Sequence, residues 1–278
     1  MINLNGDLLF KENVKLTIDN RGFKYGDAIF ETIKVLHKKV IFWEDHYFRL
    51  MASMRMLRMK IPMNFTLEFL EQEILKTVEV LDDANSYRVR LNVYRKEGGL
   101  YNPTTNDVNY FIEAKENTYL PKEKYHLGVY KDFYNFSGLL STIKTNNRMV
   151  NILASIFANE NDLDNCILLN EKKGVVEVTN GNIFIIQGTV IKTPALTEGC
   201  IKGIIRKKVI EILNKNKEFR LEETTISPFE IQKADEVFIT NTMIGIQPVT
   251  NYRKKKFETT IGKRLSNHLK VLQLTNSN

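Results

Sequence analysis

Lys144 stands in the segment STIKTNNR, behind an apolar-flanked stretch and ahead of a run with helical periodicity. A lysine amine partly withdrawn from water can form an imine with a carbonyl compound. Glu177, in VVEVTNGNIF, lies on a strand-like run that ends in an Asn-Gly turn. A carboxylate beside a ring nitrogen keeps that nitrogen protonated by charge pairing. Gly203, Ile204 and Ile205 open a helical pattern after a turn at 197–200. The unpaired amides and the dipole of a helix start attract anions, and glycine permits close approach. Thr242, in FITNTMIGIQPV, follows a strand and could add a hydroxyl to the same anion, while Arg49, in DHYFRL, offers a bidentate guanidinium. Taken singly, these residues are more simply a solvated lysine, an exposed strand glutamate, an ordinary helix start and a surface arginine.

As a set they match what pyridoxal 5'-phosphate needs from a protein: an amine, an acid for the ring nitrogen, donors for the phosphate and a pocket facing the substrate. Other chemistries lack their patterns. The sequence has no GxSxG elbow, Walker loop or Rossmann GxGxxG. His37, His46, His126 and His268 are scattered without metal-ligand spacing, and Cys166 and Cys200 are too few for a disulfide framework or a cysteine-rich metal site, so no metal is expected. The net charge of +7 admits an anionic ligand without demanding one. The densest basic run, Arg253-Lys254-Lys255-Lys256, reads as a solvated turn rather than a nucleic-acid patch. No apolar run approaches the roughly 20 residues that span a bilayer, and no secretory signal is visible, so the expected location is cytoplasmic.

The elements that must position these residues are legible in outline. With 278 residues, 43% of them hydrophobic and 26% charged, the chain has material for one large or two medium domains. A hairpin closes at Asn5-Gly6, strands are expected over 28–36 and 39–42, and a helix over 44–59 carries apolar residues at helical spacing. Thr66 can cap a helix running to about 81. Strands over 86–94 and 108–114 flank the Gly98-Gly99 region. The charged segment 115–124, with Pro121, reads as the boundary between an N-terminal domain over 1–120 and a larger C-terminal domain over 121–278 that carries Lys144. In the second half the pattern gives a strand over 125–130, helices over 147–159, 203–214 and 261–272, and a strand meander over 166–191 followed by strands at 221–225 and 236–240. Met51, Met54, Met56, Met59 and Met63 read as core filling. Helices and hairpins interleave without a βαβ rhythm, which favours an α+β fold with mixed or antiparallel sheets and flanking helices.

Six segments, in order, resemble the class-IV aminotransferases, the fold-type IV pyridoxal phosphate enzymes: DNRGFKYGDAIFETIKV, WEDHYFRLMAS, IKTNNRMVNILA, EVTNGNIFII, TEGCIKGIIRKKVIE and ADEVFITNTMIGIQPV. That family holds branched-chain and D-amino-acid aminotransferases and aminodeoxychorismate lyases. The resemblance implies two α+β domains with the cofactor in the cleft between them, usually in a homodimer. It implies Lys144 as the Schiff-base lysine and Glu177 as the ring-nitrogen partner. Arg49, the amides of Gly203, Ile204 and Ile205, and Thr242 would hold the phosphate. Phe30, Arg95 and Met243 are the expected substrate contacts, and Thr32 a catalytic one. One departure is visible: many relatives read Gly-Ile-Thr-Arg where this chain has Gly203-Ile204-Ile205-Arg206, so a threonine hydroxyl is lost from the phosphate loop.

Within the family the residues divide. The Asn-Tyr pair typical of branched-chain enzymes is replaced by Arg148-Met149, and the Arg and His typical of D-amino-acid enzymes by Leu100 and Asn102. Thr32 and the Gly98-Gly99 loop look more like the lyases, although Glu-Thr pairs on that strand occur in aminotransferases too. The expectation is transfer of an amino group between an amino acid and a 2-keto acid, with 4-amino-4-deoxychorismate lyase as the alternative. A non-catalytic relative would have lost Lys144 or Glu177, and both are present. The expected partners are small amino and keto acids and a second copy of the chain, with neither nucleic acid nor membrane.

Overall fold

A computed structural model describes Met1–Thr275. The described residues form two compact units: Met1–Thr118 with Lys144–Asn147, and Tyr119–Ile143 with Arg148–Thr275. The first contains β1 (Ile2–Leu4), β2 (Asp7–Leu9), α1 (Arg21–Tyr25), β3 (Ala28–Leu36), β4 (Lys39–Val40), α2 (Trp43–Met56), α3 (Leu67–Glu79), β5 (Ser86–Arg95) and β6 (Val108–Glu116). The second contains β7 (His126–Val129), α4 (Met149–Glu160), β8 (Asn165–Leu169), β9 (Val175–Val178), β10 (Asn182–Gln187), β11 (Val190–Pro194), α5 (Ile204–Lys215), β12 (Arg220–Thr224), α6 (Pro228–Lys233), β13 (Glu236–Asn241), β14 (Gly245–Val249), β15 (Asn251–Tyr252), β16 (Lys255–Lys256) and α7 (Thr260–Thr275).

In the first unit, six strands pair antiparallel in the order β2-β1-β6-β5-β3-β4. Alternation along β3 decides which residues reach chemistry. Ile29, Ile33 and Val35 turn to one face, where Val89, Leu91 and Val93 of β5 join them, all buried with Leu50 and Met54 of α2 and Leu70 and Ile74 of α3. Each such side chain contributes about 1.5–3 kcal/mol by leaving water. Phe30 and Thr32 turn to the other face, opposite Asn92 and Arg90. α3 begins where Thr66 accepts the N–H of Phe69, as its sequence signature predicts.

The free edge of β3 takes up the lysine segment. Phe30 donates its N–H to the Lys144 carbonyl at 2.9 Å, and Asn146 donates to the Ala28 carbonyl at 2.9 Å, with Thr145 bridged to Ile29. The expectation that Lys144 belongs with the C-terminal part of the chain is therefore corrected. Residues 144–147 make their ladder bonds with β3 and cluster with the first unit.

The second unit holds two five-stranded sheets, β12-β11-β10-β13-β14 and β16-β15-β7-β8-β9, both mixed, with parallel pairing at β11–β12, β15–β7 and β7–β8. Residues of both sheets, including Ile167, Leu169, Ile183, Ile185, Val237 and Ile239, form one buried core. Cys166 and Leu168 join Ala154 and Ala158 of α4 in a second cluster. β8 is thus covered on both faces, which is why NCILL is apolar nearly throughout.

Several local expectations shift. The strand read over 39–42 ends at Val40, because Phe42 adopts a left-handed φ of 55° and starts α2. Met51, Met54 and Met59 are buried as expected, whereas Met56 and Met63 face solvent. The basic run near 253 forms a two-stranded hairpin with Arg253 in its turn. No described helix is long and apolar enough to cross a membrane.

Candidate active site

On the open face of the first unit's sheet, Lys144 lies across from Phe30. Its Nζ stands 4.5 Å from the centroid of the Phe30 ring, and the Arg90 guanidinium carbon stands 3.9 Å from the same centroid. Such cation–ring contacts are worth up to about 2 kcal/mol when water is excluded. Asn146 anchors the group: its Oδ1 accepts from Asn92 Nδ2 at 3.0 Å and from an Arg90 terminal nitrogen at 3.2 Å. Burial and the neighbouring charge of Arg88 lower the Arg90 pKa from its ordinary value. Thr32 pairs with Arg90 across the strands, so its hydroxyl belongs to the same face. The structure therefore brings together Lys144, Phe30 and Thr32 and adds Arg90, Asn92 and Asn146. The strand SYRVRLNVYR carried the signal for two of these, with polar residues at alternate positions 88, 90 and 92.

Arg95 is a correction. Its odd position on β5 turns it to the helix-covered face, where it is 6% exposed. It donates to Asp27 Oδ2 at 2.9 Å, Asn106 Oδ1 at 2.5 Å, the Leu57 carbonyl at 2.7 Å and the Arg58 carbonyl at 3.3 Å. A guanidinium so engaged holds the fold and has little left to offer a substrate carboxylate. Arg21 shares Asp27 Oδ2 at 2.9 Å and donates to the carbonyls of Gly98, Gly99 and Leu100, fixing the loop beyond β5.

Arg49 also lies on the helix-covered side of β3. Its Nε donates to Glu31 Oε1 at 2.8 Å and one terminal nitrogen to Glu31 Oε2. His46 Nδ1 meets the same Oε2 at 2.7 Å. Burial alone would raise the Glu31 carboxyl, but the charge of Arg49 and hydrogen bonds from His46 and Arg49 outweigh it and pull the pKa down to about 2. Burial lowers the His46 pKa, against the opposing pull of Glu31.

In the second unit, Glu177 sits on β9 beside a bulge, where the register between β8 and β9 shifts at Leu168 and Leu169. Bulges re-aim side chains. Glu177 is 3% exposed, and its Oε2 accepts the Ile201 N–H at 2.9 Å. The carboxylate thus anchors the loop that leads into α5. Asn182 holds the same loop from the other side, donating from Nδ2 to the Ile201 carbonyl at 2.9 Å. Gly203 is the N-cap of α5, with no side-chain cap. A Cβ added there would come within 2.0 Å of Asn182 Oδ1, so a larger residue would have to displace the Asn182 side chain. Thr242 and Met243 occupy a turn that follows β13, held by Asn241 Oδ1, which accepts from the N–H groups of Met243 at 3.1 Å and Ile244 at 3.0 Å. Thr242 is half-buried and Met243 buried.

The model of the family described as amino-transferase class IV matches residues 28–252. A Methanocaldococcus jannaschii protein, named provisionally as a branched-chain-amino-acid aminotransferase, is 32% identical over 252 residues, covering 89% of this chain and 86% of its own. The D-alanine aminotransferase of Listeria monocytogenes is 27% identical, covering 89% of this chain and 86% of its own, and the aminodeoxychorismate lyase of Vibrio harveyi is 26% identical, covering 88% and 91%. Among solved structures, the branched-chain aminotransferase of Thermoproteus uzoniensis with norvaline matches with a TM-score of 0.89 at 24% identity, covering 98% of this chain and 94% of that one. This last likeness speaks to the fold, an α+β fold of the fold-type IV kind.

Proposed function

The chain belongs to the class IV aminotransferases, enzymes whose cofactor is pyridoxal 5'-phosphate, and from that membership we propose that it moves an amino group between an amino acid and a 2-keto acid in the cytoplasm. The observation that carries this reading is the pairing of Lys144 with Phe30 along the edge of β3, which sets a primary amine on a polar sheet face beside Arg90.

The residues fit the cofactor. The close approach at Gly203 and the uncapped start of α5 suit a phosphate, with the amides of Ile204 and Ile205 as donors, joined by the Thr242 hydroxyl and Arg49. Glu177, a buried carboxylate tied to the same loop, suits a protonated ring nitrogen. Bound there, the cofactor supplies a cationic ring that stabilises negative charge at the substrate Cα. Lys144 would have two tasks: its amine would hold the cofactor, and its Nζ would take and return the substrate proton. Glu177 keeps the ring nitrogen charged. Arg90 receives the substrate carboxylate, and Phe30, Thr32 and Met243 shape the space around it.

The lyase forming 4-aminobenzoate and pyruvate is the second reading, favoured by Thr32 on the Lys144 face and by the likeness to the Vibrio harveyi enzyme. We also propose a homodimer. Met149, Ile152 and Ile156 form an exposed apolar stripe along α4, and Phe136, Leu139 and Leu140 are exposed just before it, a larger apolar presence than a monomer keeps bare.

Borohydride reduction followed by peptide mass mapping tests the central claim. The expected result is cofactor mass on Lys144, and a protein that takes up no cofactor at Lys144 would refute the reading. Incubation with branched-chain L-amino acids, D-alanine and aminodeoxychorismate separates the two activities, because only the lyase releases 4-aminobenzoate.

A further inference from the structure

A cavity of about 470 Å³ opens in the second unit, between the β8–β9 turn, the β15–β16 turn and the start of α6. It shares no residue with the candidate site residues described above. Its lining includes Lys131, Lys172, Lys173 and Arg253, and no carboxylate is among the described lining residues. Buried Leu169 and Ile226 supply an apolar floor, and two exposed rings, Tyr134 and Phe229, stand at the edge. Of the nearby acids, Glu171 accepts from Ser137 and also attracts Lys172, Glu198 accepts from Asn170 Nδ2 at 2.8 Å and from the Thr225 hydroxyl at 2.6 Å, and Glu230 pairs with Lys192 at 2.8 Å.

The cations are carried on a fixed frame. Asn170, fully buried, accepts with Oδ1 from the N–H groups of Lys172 at 3.1 Å and Gly174 at 2.8 Å. Its own N–H donates to the Gly174 carbonyl at 2.9 Å, and Val175 donates to the Ile226 carbonyl at 2.8 Å, closing the floor. Lys173 and Arg253 hold left-handed backbone, with φ of 65° and 55°. Asparagine or glycine would take those positions at less cost. Both cations line the one concavity. Four cations around one hollow set up a positive potential that attracts a polyanion.

We propose that this cavity binds a phosphorylated small molecule with a flat ring, of the nucleotide class. The cations take the phosphates, the apolar floor and the Phe229 and Tyr134 rings take the planar body, and the volume lies within the roughly 300–1,000 Å³ usual for such ligands. This site is independent of the aminotransferase reading.

Isothermal titration of the cofactor-loaded protein with ATP and with pyrophosphate tests it. ATP should saturate one site per chain and bind more tightly than pyrophosphate. The double variant Lys172→Ala, Lys173→Ala should weaken ATP about tenfold, as expected for losing charged donors. Phe229→Ala should bring ATP towards the affinity of pyrophosphate. Neither variant should alter cofactor absorbance or the thermal midpoint, since the side chains are exposed. Absence of saturable ATP binding, equal binding of pyrophosphate, or unchanged affinity in the lysine variant would overturn the proposal.

Discussion

Glu31 and Arg49 meet as a bidentate ion pair between β3 and α2, with His46 on the same carboxylate oxygen. The trio is withdrawn from water, so its charge state is coupled to folding. Glu31 carries a pKa of about 2 against an ordinary 4.5, and its contribution is therefore fully present above pH 4.5 and lost as pH falls from there. His46, lowered from 6.5, stays neutral in the fold while the unfolded chain takes up a proton, so stability also declines below 6.5. Both effects run in the same direction.

Glu31→Gln should accordingly destabilise the protein by about 3–5 kcal/mol at pH 7, since it leaves Arg49 without its buried counter-charge. Thermal midpoints of both proteins from pH 7 to pH 3 provide the check. The gap between them should narrow below about pH 4.5, where the wild-type carboxylate begins to lose its advantage. A gap that stays constant across that range would show that the pair's charge does not stabilise the fold.

Glu177 has two jobs that substitution can separate. Glu177→Gln keeps an oxygen to accept the Ile201 N–H but removes the negative charge. It should retain cofactor and lose turnover by about a hundredfold or more, a loss of some 3 kcal/mol in the barrier. Glu177→Ala loses the loop anchor as well and should also weaken cofactor binding. Cofactor dissociation constants measured beside kcat distinguish the two, and equal dissociation constants for the Gln and Ala variants would remove the anchoring role.

The division between what the sequence showed and what it did not follows the physics of each element. β3, α2, α3 and β5 were legible because alternation and helical spacing repeat over nine or more residues. α6 spans six residues, too short for periodicity, although Ser227-Pro228-Phe229-Glu230 spells the capping box that the structure forms. Among candidate residues, Lys144, Phe30 and Thr32 lie on one face of the sheet. Arg95 and Arg90 were distinguishable only through strand parity: one residue of offset per face decides which arginine is buried under helices and which stands beside Lys144. The bulge beside Glu177 depends on pairing with β8, a long-range event that no local pattern announces.

Gly203→Ala should fail for a steric reason. The new Cβ would lie 2.0 Å from Asn182 Oδ1, forcing Asn182 off the Ile201 carbonyl or tilting the start of α5. Overpacking of this kind costs about 1–3 kcal/mol. The double variant with Asn182→Ala relieves the clash, so the two destabilisations should fall short of additive in a thermal or denaturant cycle. Strict additivity would mean that the contact is not what excludes a side chain at 203.

Arg90 and Arg95 should separate function from folding. Arg95→Ala removes a buried guanidinium from Asp27 and leaves the carbonyls of Leu57 and Arg58 short of donors, so it should cost about 3–5 kcal/mol of stability. Arg90 is half-buried on the open face, bonded to Asn146 and stacked on Phe30. Its replacement by alanine should cost far less stability and instead raise KM for the amino substrate about tenfold or more, the value of a charged hydrogen bond to a carboxylate. Arg90→Lys keeps the charge but not the planar fork and should recover only part of the loss. Steady-state kinetics on both variants, read against their thermal midpoints, decides the matter. If Arg90→Ala left KM unchanged while Arg95→Ala raised it in a protein of normal stability, strand parity would have misassigned the substrate arginine, and the carboxylate would have to be met from the helix-covered side of the sheet.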